Sequence, residues 1–150
     1  MITVVAYAPE HLSGCADLYR KVFSREPWNE TWERPQAVEE FLQRHSRNSN
    51  FLGYVALAGG DIVGASIGFL KPWIRGEEYY IDEYFVDAGL QGQGIGTQLM
   101  NAIRDDLRQR GIPAILLNTE RTAPAYGFYR KAGFEELEGL VILAADVIDP

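Results

Sequence analysis

Residues 86–97 read VDAGLQGQGIGT, and glycines 92, 94 and 96 alternate where a strand-like run gives way to a helix-like one. Glycines at such a junction suit the binding of an anion. The first-turn amides of a helix have no acceptor within it and can point at one spot, and the missing Cβ atoms let the backbone approach a phosphate or take positive φ. The same glycines also suit close packing of strand on helix, so alone they assign nothing. Their spacing does exclude two nucleotide folds. A mononucleotide phosphate loop needs lysine and then serine or threonine directly after its last glycine, and Ile95, Gly96 and Thr97 offer no lysine. A dinucleotide loop needs G-x-G-x-x-G, whereas the third glycine here comes one residue early.

Just upstream, YYIDEYFV sets Asp82 beside Glu83 in a run of aromatic and branched residues that reads as a strand. Alternation sends neighbours to opposite faces, so only one of these carboxylates can face a given ligand unless a bulge intervenes.

The elements that must position these groups follow from periodicity. MITVVAYA reads as a strand, and Pro9 opens a helix in which Leu12, Cys15, Ala16, Tyr19, Val22 and Phe23 recur every three or four residues. After the loop REPWNETW, Val38, Phe41 and Leu42 share one face of a second helix. FLGYVALA and IVGASIGFL form a hairpin across Gly59, Gly60 and Asp61. Beyond the glycines, Ile95, Leu99, Ala102, Ile103 and Leu107 mark a helix that stops at Gly111. The strand AILLN, a short helix through APAYGFYRKAG and the closing runs FEEL and LVILAADV complete the chain. No linker or repeat interrupts this order, so residues 1–150 are expected to be one α/β (α+β) domain built on a mixed sheet.

Bulk properties narrow the partners. A net charge of -7 over 150 residues argues against nucleic acid, which calls for clustered lysine and arginine, and is compatible with a cationic or amine-bearing small molecule. Cys15 stands alone, cannot form an internal disulfide and reads as a small core residue. His11 and His45 fall on separate helices with no metal-ligand spacing and read as surface or capping residues. No apolar run is long enough to span a membrane, and the opening residues lack a signal-peptide pattern, so the cytoplasm is the default compartment.

Gln91-x-x-Gly94-x-Gly96, entered from a strand ending at Val86, resembles the signature of the GNAT superfamily of acetyl-coenzyme A dependent N-acetyltransferases. APAYGFYRKAGF, residues 123–134, is similar to that family's second hallmark, a short helix carrying a phenylalanine–tyrosine pair and ending in a glycine–phenylalanine step. The order of elements extends the resemblance over nearly the whole chain. It departs at Thr122, where family members commonly have an asparagine that contacts the cofactor. Threonine still offers one hydrogen bond.

The resemblance implies a mostly antiparallel central sheet with flanking helices, in which the strand ending at Val86 splays from AILLN to admit the pantetheine arm of acetyl-coenzyme A. It implies that the backbone at Phe85 and Val86 bonds this arm and polarises the thioester. The amides of Gln91, Gly92, Gln93, Gly94, Ile95, Gly96 and Thr97 would cradle the pyrophosphate, with Thr122 and Tyr126 beside the cofactor. Tyr129 is the implied general acid, since a phenol is protonated at neutral pH and can give its proton to a departing thiolate.

For the base, Asp82 and Glu83 each have counterparts in the family. Glu83 is preferred for its longer reach, although ordered water can also take an amine's proton. Trp28, Asn29, Glu30, Trp32 and Trp73 are expected to wall an acceptor pocket suited to a sugar or alkyl chain bearing a cation. The expected reaction is acetyl transfer to a primary amine of a small molecule, with an aminoglycoside-like acceptor as the narrower expectation. The alternatives are a protein amino terminus or lysine as acceptor, or an acyl-coenzyme A binding module that no longer transfers. Homodimerisation is common in such families, and LVILAADV is a candidate either for the interface or for an interior strand.

Overall fold

The computed structural model describes residues 1–90 and 92–149. Contacts divide the chain into two compact units, Met1–Asn118 and Thr119–Pro150. The first unit holds strands β1 (Ile2–Ala6), β2 (Phe51–Ala58), β3 (Asp61–Trp73), β4 (Gly76–Val86) and β5 (Ala114–Leu117), with helices α1 (Leu12–Phe23), α2 (Pro35–Ser46) and α3 (Ile95–Gln109). The strands form one sheet in the order β1-β2-β3-β4-β5. All pairs are antiparallel except β4 with β5, which is parallel.

Local chemistry explains the boundaries. The β2–β3 turn places Gly59 and Gly60 at φ 59° and 89°, the two positive angles a tight hairpin needs. Pro35 opens α2, where its missing N–H is no loss. Gly111, at φ 74°, closes α3 in the left-handed conformation.

Helices cover both faces of the sheet. Cys15, Ala16, Tyr19 and Val22 of α1, with Val38 and Leu42 of α2, pack on Val55, Ala65, Ile67 and Phe85. Cys15 is fully buried there. On the other face lies α3, whose Asp106 accepts a 2.6 Å hydrogen bond from the hydroxyl of Tyr54, the neighbour of Val55.

One irregularity governs the site. Ile67 lies opposite Glu83 and Gly68 opposite Ile81, so Asp82 is the extra residue of a β-bulge. The bulge reverses the side-chain phase of β4. Tyr79 packs on Tyr54 on the α3 face, whereas Phe85 packs on Tyr19 and Phe23 of α1. Six residues apart in an uninterrupted strand, those two rings would share a face.

The expected splay is present. Pairing of β4 with β5 ends at Ile81 opposite Leu117, while β4 continues to Val86. From Asp82 onward the edge of β4 facing away from β3 has no strand partner among the described residues.

The second unit contains α4 (Pro124–Lys131), started by a proline and followed by Gly133 at φ 94°. Within it Tyr129 packs against Phe128 and Phe134, and Glu136 accepts bonds from Arg121 and from the Tyr126 hydroxyl. The closing runs depart from expectation. Neither FEEL nor LVILAADV forms a strand, and Leu140 to Leu143 are exposed rather than interior. A strand exists only through a ladder with a neighbour, and these residues have none among the described residues.

Candidate active site

Glu83 and Asp82 project from the unpaired stretch of β4 on the side of α1 and α2, and the bulge is the reason both can do so. Glu83 is half-buried, and its carboxyl is pushed from the ordinary 4.5 to about 7, first by burial and then by the charges of Glu30 and Asp82. A carboxyl with that affinity exchanges its proton at neutral pH.

Glu30 is presented by the loop between α1 and α2. Its amide donates to the Phe23 carbonyl at 2.8 Å, after Asn29 has turned the chain at φ 47°. The Glu30 carboxylate accepts from the Trp32 indole N–H at 3.3 Å and lies near enough to Tyr19 to act on its hydroxyl. Burial, with Glu83 and Glu30 nearby, holds that phenol firmly protonated.

Asp82 meets His45 of α2, with Nδ1 and Oδ2 3.4 Å apart. Burial raises the Asp82 carboxyl above its usual range and His45 opposes the rise. Phe41 stands edge-on to the imidazole, 4.9 Å between centroids. By its spacing alone His45 is expected to be a surface or capping residue. It is instead the partner of a candidate catalytic carboxylate, a contact between residues too far apart in sequence for periodicity to report.

Beside Glu30 a cavity of about 460 Å³ opens, lined by Arg20, Lys21, Ser24, Glu30, Trp32 and Pro35. Its two cations are engaged elsewhere, Arg20 with Asp17 and the Pro35 carbonyl, and Lys21 with Asp87 at 2.9 Å. Trp32 packs on Tyr19 and Phe41, and Trp28 on Phe23. The expected walls Trp28, Asn29, Glu30 and Trp32 therefore belong to one loop. Trp73 does not join them. It is 58 % exposed, at the tip of the β3–β4 hairpin and opposite Gly76, the far end of β4 from Glu83.

The start of α3 has the geometry of an anion site. Gly92 and Gly94 have φ of 90° and 77°, and Gly94 is the N-cap, with no side chain to occupy the first-turn amides. No acidic residue lies in that turn, and Ile95 and Leu99 bury its inner side. A Cβ on Gly92 would meet nothing within 4 Å, so positive φ, not crowding, calls for glycine there. The Tyr84 hydroxyl donates to the Gly96 carbonyl at 2.5 Å and ties this turn to β4. Gly96 is half-buried, while Gln93 and Thr97 face solvent; Gln91 lies outside the described residues. The uncapped helix start and the open edge of β4 at Phe85 and Val86 together fit an extended, phosphate-bearing group.

Thr122, Tyr126 and Tyr129 fall in the second unit. Thr122 is exposed just before α4, Tyr126 is bound to Glu136 at 3.0 Å, and Tyr129 is buried.

Comparison with known proteins identifies the family and the fold. The family model described as "Acetyltransferase (GNAT) family" matches residues 12–134. Mycothiol acetyltransferase of Saccharomonospora viridis is 44 % identical over 64 residues, 42 % of this chain but only 20 % of that protein. N-alpha-acetyltransferase 30 of Schizosaccharomyces pombe is 29 % identical over 138 residues, 89 % of this chain and 84 % of the relative. The fold matches an aminoglycoside acetyltransferase from an uncultured soil metagenomic sample, solved with sisomicin, at TM-score 0.76 and 23 % identity, over 98 % of this chain and 97 % of the other.

The raised Glu83 carboxyl sets a pH dependence of stability. Its folded pKa of about 7 exceeds the ordinary 4.5, so the folded protein retains a proton that the unfolded chain releases. The stability linked to that proton is full below the unfolded value and is lost as pH rises through 7. Glu83→Gln should thus be near-neutral at pH ~4 and more stable than wild type by about 2 kcal/mol at pH ~8, allowing for solvent screening. Urea melts at the two pH values measure the difference, and an equal effect at both would contradict it.

Proposed function

The chain belongs to the GNAT family of acetyltransferases, and from that premise we propose that it transfers acetyl from acetyl-coenzyme A to a primary amine of a small cationic molecule. The reading rests on Glu83, a half-buried carboxyl pushed to about 7, beside Glu30 on the unpaired stretch of β4.

The amine enters as its ammonium form, drawn by Glu30, Asp82 and Glu83, with Trp32 covering its carbon skeleton. Glu83 takes one proton, directly or through water, and frees the lone pair for attack. His45 holds Asp82, which keeps a second carboxylate next to the base and sustains its raised affinity for the proton.

Acetyl-coenzyme A supplies the activated thioester in a ternary complex. The amides around Gly94 and Gly96 would hold its pyrophosphate, and the backbone of Phe85 and Val86 would bond its arm and donate to the thioester oxygen. The new C–N bond forms as the C–S bond breaks. By the matching motif positions Tyr129 would give its phenolic proton to the leaving sulfur and regain one, through water, from the nitrogen that has just formed the amide, and Thr122 and Tyr126 would contact the cofactor. Protein amino termini are the competing acceptors, favoured by the yeast relative that aligns over most of both chains.

Calorimetric titration with acetyl-coenzyme A, followed by thiol release against polyamines, aminoglycosides and amino-terminal peptides, tests the reading. Tight binding with release by a small polycation is the expected result. Release by peptides alone would transfer the activity to proteins, and absence of binding would end the transferase reading. Tyr129→Phe should lower kcat by about 10²-fold while leaving coenzyme A affinity within about twofold. An unchanged kcat would remove the phenol from the proton path.

A further inference from the structure

The turn that leads from β4 into α3 is braced by a side chain from outside it. Asp87, the residue after β4, donates its amide to the Val63 carbonyl at 2.9 Å and so stays on the sheet. Its Oδ1 accepts from the Gly89 amide at 2.9 Å, and its carbonyl accepts from the Leu90 amide at 3.0 Å. The Leu90 carbonyl accepts in turn from the Gln93 amide at 3.3 Å, next to Gly94, the N-cap of α3. The second carboxylate oxygen, Oδ2, accepts from Lys21 Nζ of α1 at 2.9 Å, across 66 residues of chain.

Exposed ion pairs add little, because both side chains must be ordered and water competes for each. This pair differs on the Asp87 side. The Gly89 amide already fixes that carboxylate, and its side chain is only 15 % exposed, against 50 % for Lys21. The Lys21 bond first, then the Gly89 amide and the charges of Lys21 and Arg25, hold the carboxyl below its usual range, so it is ionised at neutral pH. Without the lysine, the turn that feeds the anion site would loosen and would carry an uncompensated negative charge. Both effects oppose a phosphate at the start of α3.

We infer that Lys21 is a positioning residue for the anion site at the start of α3: through Asp87 it sets the turn 87–90, and with it the amides that receive a pyrophosphate. For the identity of the anion this rests on the transferase reading. Arg20, the neighbouring cation, is committed to Asp17 and the Pro35 carbonyl and is no substitute. Lys21 also lines the cavity beside Glu30, so one residue of α1 serves the surroundings of both Glu30 and the glycine turn.

The test is calorimetric titration of the full-length protein with acetyl-coenzyme A and, at millimolar concentration, with S-acetylpantetheine, which has the thioester and arm but no pyrophosphate. Lys21→Met and Asp87→Asn should each raise the dissociation constant for acetyl-coenzyme A by roughly three- to fivefold, near the ceiling for an exposed pair. Methionine suits a helix surface and asparagine keeps an oxygen for the Gly89 amide, so both variants should fold. Lys21→Arg keeps the charge and should stay within about twofold of wild type. The double variant should bind no more weakly than Lys21→Met, because the two changes remove one interaction. Affinity for S-acetylpantetheine should be unaltered throughout, whereas a general loss of structure would weaken both ligands alike. Equal affinity for acetyl-coenzyme A in wild type and Lys21→Met, additive losses in the double variant, or losses shared by S-acetylpantetheine would overturn the inference and leave the transferase reading standing. A wild-type protein that binds no acetyl-coenzyme A would overturn that reading and this inference with it.

Discussion

The extra residue at Asp82 is the constraint on which the candidate site depends. A regular strand from Tyr79 to Phe85 would send both rings to one side of the sheet. The bulge lets β4 give Tyr79 to the α3 face and Phe85 to the core under α1 and α2. It also brings Glu83 beside Glu30 and leaves Asp82 in reach of His45. Bulges bend a strand and interrupt its ladder. Here the interruption adjoins the last pairing of β4 with β5, so phase reversal and splay occur at one place in the sheet.

Beyond that point β4 organises two kinds of chemistry from its two faces. Tyr84 reaches the first turn of α3 and fixes the cradle of positive-φ glycines. Glu83 meets the charge of Glu30 in the loop between α1 and α2, and Phe85 packs on Tyr19 and Phe23 of α1. Asp87, where β4 ends, accepts from Lys21 of α1 and from the Gly89 amide, so the cavity beside Glu30 and the loop entering α3 share one ion pair. Part of the acidic balance of the chain is concentrated here, because the charges of Glu30 and Asp82 both act on Glu83. Each carboxylate raises the cost of ionising the next.

Much of this was legible in the sequence because it is local. The spacing of the glycines, the apolar periodicity of α1, α2 and α3, the Gly59–Gly60 turn and the hallmark around Tyr129 depend on near neighbours in the chain, and the family could be recognised from them. The bulge was visible only as a condition on where Asp82 and Glu83 point, since its position depends on the register with β3. His45 was missed because its partner lies on another element. Trp73 was drawn into the pocket by its residue type, whereas the length of the β3–β4 hairpin carries it to the tip. LVILAADV has the composition of a strand, but composition cannot provide the neighbour that a strand requires.

We propose that the bulge makes Glu83 the base. The most direct test is kcat/KM for the accepted amine as a function of pH, at saturating acetyl-coenzyme A, in wild type, Glu83→Gln and Asp82→Asn. Wild type should rise through a limb near 7, set by the Glu83 carboxyl. Glu83→Gln should lose that limb along with about 10²-fold in rate, and Asp82→Asn should keep the limb at lower pH, because one neighbouring charge is gone. A limb that persists unchanged in Glu83→Gln would contradict the account.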